Sequence, residues 1–132
     1  MEGKNNRKGA AEGENAACEL LERSGYRILE RNFSTRRGEI DIIAKDGGVY
    51  VFVEVKSRSG AAFGYPEEAV TPAKQYRIAG AAASWLAARG VKNKPCRFDV
   101  VTVLDGRAEL IKGAFDLTDA AKGARGTFGT RR

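Results

Sequence analysis

The sequence predicts a mixed α/β domain built around one small sheet, in the order helix, three strands, helix, two strands. Three observations predict it. Two strongly β-patterned runs, Glu39 to Lys45 and Val49 to Lys56, flank a hairpin signal at Asp46-Gly47-Gly48. Two segments with helical apolar spacing stand on either side of the strand-rich region. A length of 132 residues with 42% hydrophobic content is enough for one domain with a single core, and no segment repeats.

In chain order, the Gly-, Asn- and Lys-rich residues 1–9 read as a disordered basic tail. From about Ala10 to Ser24, Ala16, Ala17, Leu20 and Leu21 recur at helical spacing, and Gly25 is placed to stop the helix. Tyr26 to Phe33 alternates like a half-exposed strand, and Ser34 to Gly38 is a basic turn. The two β-patterned runs follow. Residues 57–65 form a Gly- and Ser-rich loop carrying Phe63 and Tyr65. Thr71-Pro72 is an N-cap followed by proline at the first helical position, and that helix runs to about Arg89 before Gly90. Arg97 to Leu104 is a strand, Asp105-Gly106 a turn, and Glu109 to Ile111 a short strand. The domain is placed at residues 10–121 and a basic Gly-rich tail at 122–132.

Charge and composition narrow the function. The net charge of +6 is concentrated in the two tails, and the folded body is balanced. Basic tails suit a polyanion, or serve only as solubilising ends. No run approaches the roughly 20 apolar residues of a membrane span, and no signal peptide is visible. Cys18 and Cys96 are too few and too far apart for a zinc ribbon or a disulfide framework, and read as buried structural thiols of a cytoplasmic protein. Histidine is absent, which excludes His-based triads and His-ligated zinc.

The chemistry is expected in the central hairpin. Glu39, Asp41, Glu54 and Lys56 interrupt apolar strands, where an unpaired charge is costly. Alternation puts Glu54 and Lys56 on one face, about 6.6–7 Å apart along the strand. It also puts Glu39, Asp41 and Ile43 on one face. A two-residue loop at Gly47-Gly48 pairs Asp46 with Val49, setting Asp41 opposite Glu54 and Glu39 opposite Lys56; a loop at Asp46-Gly47 slides this by two residues on the same faces, and a three-residue loop without a bulge sets the faces against each other. Opposed carboxylates about 4.5–5.5 Å apart at Cβ repel, and a divalent cation removes the conflict. Oxygen ligands without histidine or thiolate favour Mg²⁺ or Mn²⁺. A lysine beside such an ion can orient or deprotonate water, or balance charge on a phosphate. The competing reading is a set of cross-strand ion pairs on a solvated face; Phe52 and Ile43 on that face argue against it.

Asp41 followed by Glu54-Val55-Lys56 resembles the PD-(D/E)XK nuclease signature. More closely, Gly13-Glu14, Arg31-Asn32-Phe33, Gly38-Glu39-Ile40-Asp41-Ile42-Ile43, Val51 to Arg58, Phe63-Gly64 and Arg97 to Val101 resemble the bacterial YraN family, a relative of archaeal Holliday-junction resolvases. The resemblance covers about residues 12–104. It implies a restriction endonuclease-like core. It also implies Asp41 and Glu54 as metal ligands, Lys56 as the catalytic lysine, and Glu14 as the helix glutamate that completes the site. Lys74 and Gln75 match a polar position after the lysine strand; an exposed helix face explains them equally. Ile40 stands where the signature has proline. Asp99 reads as a structural acid.

Arg36, Arg37 and Arg58 could hold phosphates beside the site. Phe63 and Tyr65 could stack on a base, or simply anchor their loop. The expectation is a Mg²⁺- or Mn²⁺-dependent endonuclease acting on DNA, branched DNA included, and working as a homodimer because two strands need two sites. The alternatives are a non-catalytic nucleic-acid-binding module on the same fold, and a structural or adaptor protein with no nucleic-acid role.

Overall fold

The computed structural model describes residues 2–58 and 70–115, with side chains placed for 11–57 and 70–115. The elements are α1 (Glu2–Arg23), β1 (Arg27–Ser34), β2 (Glu39–Asp46), β3 (Val49–Arg58), α2 (Pro72–Ala88), β4 (Cys96–Leu104) and β5 (Arg107–Phe115). The order is the expected αβββαββ. The loop carrying Phe63 and Tyr65, the side chain of Arg58 and the 122–132 tail lie outside the described residues. Two elements differ most from the sequence reading: α1 begins at Glu2 rather than near Ala10, so residues 2–9 are helical and not a disordered tail, and β5 is longer than Glu109 to Ile111; the other ends shift by one or two residues.

The five strands lie side by side in sequence order. β1, β2 and β3 are antiparallel neighbours, β3 and β4 run parallel with α2 as the crossover, and β4 and β5 form an antiparallel hairpin. α2 covers one face, where Ile78, Ala82 and Trp85 pack on Ile40, Ile43, Phe52 and Phe98. α1 covers the other, where Ala17 and Leu21 pack on Ile42, Val51, Val53 and Val101.

Both helices are terminated by the same device. Tyr26 N–H bonds Leu21 O at 2.9 Å and Gly25 N–H bonds Glu22 O at 3.0 Å; Val91 and Gly90 repeat this on Leu86 and Ala87. These are Schellman motifs, and Gly25 and Gly90 supply the positive φ they require. Tyr26 and Leu21 then pack in the same cluster, so the cap also fixes how α1 meets the sheet. At the start of α2, Thr71 Oγ1 accepts from Lys74 N–H at 3.2 Å, with Pro72 beginning the helix.

The hairpin register is the one the two-residue loop requires: Asp46 pairs with Val49, and the ladder runs back to Ile42 and Val53. The expected faces of β2 need correction. Ile43 packs on the α2 side and Ile42 on the α1 side, as alternation demands, but Ile40 also lies on the α2 side. A regular pleat would keep Ile40 with Ile42, so the faces switch at Asp41. In β1, Asn32 sits between Arg31, paired with Ile42, and Phe33, paired with Ile40, and has φ 55°. Asparagine tolerates this left-handed conformation, and it turns Phe33 onto the α2 side as well.

Candidate functional site

The face switch places Asp41 where the β2–β3 pairing ends. Its Oδ2 accepts from the Val55 backbone N–H at 2.8 Å, so the carboxylate takes over a strand donor that the ladder no longer serves. Asp41 therefore does not stand directly across the pleat from Glu54 as the register count suggests; it reaches sideways to β3. Glu54, buried with its side chain 8% exposed, projects from β3 toward α2. Its Oε2 meets Lys74 Nζ at 2.9 Å and Lys56 Nζ at 3.3 Å. Glu39 does not pair with Lys56; it is exposed at the start of β2 opposite Ser34.

Beside these residues opens a cleft of about 350 Å³. Its walls come from Gly38, Glu39 and Asp41 on the β2 side, Glu54 on β3, and Lys74 and Arg77 on α2. Burial pushes the Asp41 carboxyl up to about 7, and the neighbouring charge of Glu54 adds to it; the Val55 N–H opposes, while Glu14 and Glu39 push further up. Burial draws the Lys56 ammonium below the ordinary lysine range, helped by Lys74 beside it and opposed by Glu54. Burial also acts to lower Lys74, but its hydrogen bond and charge contact with Glu54 outweigh that and hold it above the usual value.

The other expected site residues are placed unequally. Glu14 lies on α1, on the other side of the sheet from Lys74. Its carboxylate pairs with Arg31 at 3.4 Å, and it acts on Asp41 through its charge. The Gln75 amide is engaged with Val70 O at 2.9 Å, where it holds the approach to α2. Arg36 and Arg37 lie in the exposed turn beside the cleft. Arg77 is a cleft residue that sequence reading misses; it looks like any exposed helix charge, and only the docking of the turn on α2 reveals it.

Asp41 and Glu54 offer oxygen donors alone. Among the described residues, no group of three or more His, Cys, Asp or Glu side chains is arranged to hold a metal. Two carboxylates suffice for Mg²⁺, which keeps waters and takes substrate oxygens. The Glu54 charge that raises Asp41 is the repulsion a divalent cation would relieve, so the donor set fits such an ion.

A second charged cluster lies toward the Gly47-Gly48 hairpin. Asp99, fully buried, accepts from Tyr26 OH at 2.8 Å, Arg97 Nε at 2.9 Å and Gly113 N–H at 2.9 Å. Arg97 also reaches Asp46 at 3.0 Å. Its hydrogen-bonding capacity is used internally, which makes Asp99 the structural acid the sequence suggests. Cys18 and Cys96 are free and half-buried rather than buried, and burial raises both thiols, Cys96 to about 11.

Fold and site together define a class: an αβββαββ domain with a carboxylate–lysine cleft between the central hairpin and the crossover helix. The chain belongs to the family described as uncharacterised protein family UPF0102, whose model matches residues 13–103. It is 56% identical over 108 residues to a UPF0102 protein of Symbiobacterium thermophilum, covering 78% of this chain and 92% of that one. A UPF0102 protein of Persephonella marina is 49% identical over 106 residues, covering 80% and 91%. Another from Geotalea daltonii is 49% identical over 122 residues, covering 88% and 96%. The membership is consistent with the resemblance to the YraN family. Among the described residues no helix is long and apolar enough to cross a membrane.

Proposed function

We propose that the cleft is the active site of a PD-(D/E)XK-type nuclease that hydrolyses phosphodiester bonds in DNA, branched DNA included, with Mg²⁺ or Mn²⁺. The carrying observation is the meeting of Asp41 and Glu54 with Lys56 and Lys74 beside an open cleft. Asp41 and Glu54 would hold the metal, which when bound supplies Lewis-acid polarisation of the phosphate. Val55 N–H fixes the Asp41 carboxylate, leaving its second oxygen for the ligand. Lys56, with its proton affinity lowered by burial, is suited to steering a water and exchanging a proton with it. Lys74 and Arg77 supply positive charge on the α2 wall against a phosphate. Glu14 adds negative field at Asp41, which opposes its ionisation and would attract a cation. A homodimer goes with this reading, since paired cuts need paired sites.

A cleavage panel of junction, flap, single-stranded and duplex DNA with Mg²⁺ or Mn²⁺ tests it. Activity is expected in the wild type and lost in Asp41→Asn, Glu54→Ala and Lys56→Ala. Intact substrates throughout would remove the nuclease reading. One observation favours the second reading, a non-catalytic nucleic-acid-binding module: Glu54 is ion-paired with both Lys56 and Lys74. Binding without cleavage, unaffected by Glu54→Gln, would select it.

A further inference from the structure

We infer that Arg37 and Arg77 form a two-arginine phosphate clamp at the mouth of the cleft, and that it holds the backbone of a nucleic-acid strand beside Asp41 and Glu54. The inference rests on the cleft being a nucleic-acid site, but not on catalysis there.

Two glycines seat the pair. A Cβ on Gly38 would lie 3.0 Å from Arg77 Cβ and 3.1 Å from its carbonyl oxygen, so glycine lets the turn lie closer to α2 than a side chain would without a shift of the helix. A Cβ on Gly80 would lie 2.8 Å from Arg37 Cδ, so the aliphatic stem of Arg37 occupies the notch left by that glycine. Gly80 and Arg77 are three residues apart, hence neighbours on the helix surface. The turn itself is rigid. Thr35 N–H bonds Gly38 O at 2.8 Å, and Thr35 Oγ1 accepts from Arg37 N–H at 3.0 Å and Gly38 N–H at 3.3 Å.

Both guanidinium groups belong to exposed residues, and among the described residues neither forms an ion pair, whereas Arg31, Arg89 and Arg97 each hold an acid. Arg37, held by its stem with no counter-ion, has already lost part of the freedom that phosphate binding would otherwise cost. With Arg77 on the adjoining helix surface it suits the phosphates of one strand: the carboxylates repel bare phosphate within the cleft, and the arginines attract it at the rim.

The test is fluorescence anisotropy of the full chain with labelled DNA duplex and junction in EDTA, where no cleavage interferes. Arg37→Ala and Arg77→Ala should each weaken binding several-fold and reduce the slope of log K against log salt by about 1. Lys92→Ala, remote in the loop after α2, serves as the control and should change neither. Gly80→Ala should displace Arg37 and weaken binding while leaving the melting temperature no lower, since alanine favours the helix. Wild-type affinity and slope in both folded arginine variants would overturn the clamp, as would absence of wild-type binding at low salt. Displacement of DNA by low-millimolar inorganic phosphate, beyond chloride at equal ionic strength, would overturn the strand assignment in favour of a small phosphate. Failure of the nuclease reading appears instead as intact DNA in Mg²⁺ or Mn²⁺, a separate measurement.

Discussion

Asp41 carries opposing demands. Burial first and the Glu54 charge second push its carboxyl up to about 7. A carboxyl whose folded pKa lies above its unfolded value favours the folded state when protonated, so this contribution is full below about pH 4 and lost as pH rises to about 7. Asp41→Asn keeps an acceptor for the Val55 N–H and cannot ionise. In EDTA the variant should be more stable than wild type, with the gap opening between about pH 4 and 7 and then levelling. The rise from 3.8 to about 7 is roughly three tenfold steps of about 1.4 kcal/mol each, so the gap at pH 8 is at most about 4 kcal/mol. Urea melts across pH check this; a gap that closes with rising pH contradicts it. Asp41, Glu54 and Lys56 are legible in sequence because charges inside apolar strands need a reason. Arg77 and Asn32 are not, because their meaning comes from another element: the turn docked on α2, and the face switch in β2.

Among the elements, the β1–β2 ribbon is where local patterning and structure part. Strict alternation predicts one face for Glu39, Asp41 and Ile43, and the structure breaks it at Asp41, across from the left-handed Asn32 of β1. Asn32→Val places a β-branched side chain at φ 55°. It should cost about 1–2 kcal/mol and loosen the seating of Phe33 and Ile40 on α2. Chemical denaturation gives the cost, and amide exchange at Val55 reports whether Asp41 still caps it. The caps of both helices, by contrast, are readable from Gly25, Thr71-Pro72 and Gly90, because their conformations are set by one or two residues. At the other end of the sheet, Asp99 joins β4 to β5 and to Tyr26 at the α1 cap. Asp99→Ala leaves Arg97 its contact with Asp46 but removes the buried acceptor of the Tyr26 hydroxyl and the Gly113 N–H, and about 2–4 kcal/mol of stability should go with it. A melt that stays within 1 kcal/mol of wild type, on the order of a surface substitution, contradicts that role. β5 reads too short in sequence because Lys112-Gly113 interrupts its alternation: Gly113 has φ 61° where the β4–β5 register shifts, and Phe115 then stacks on Phe98.

For the whole molecule, a stability measurement registers metal binding without knowledge of the natural substrate. The net charge lies in residues 1–11 and 122–132, and residues 12–121 sum to zero, so a general ionic effect should be small. A divalent ion bound between Asp41 and Glu54 acts differently. It stabilises only the folded state, by about 2.7 kcal/mol at a hundredfold excess over its dissociation constant. For a domain of this size that is a rise of several degrees in melting temperature, at about 2–8 °C per kcal/mol. Protons compete for the same carboxylates, and Asp41 holds its proton up to about pH 7. The Mg²⁺- or Mn²⁺-induced rise should therefore be largest near pH 8 and shrink toward pH 6. Asp41→Asn should start from a higher melting temperature and gain little from the ion. Glu54→Gln should also gain little, because one carboxylate alone binds weakly. Differential scanning fluorimetry with KCl at matched ionic strength separates site binding from screening. Equal rises in wild type and both variants would place the ion elsewhere and take the cleft's metal chemistry with it.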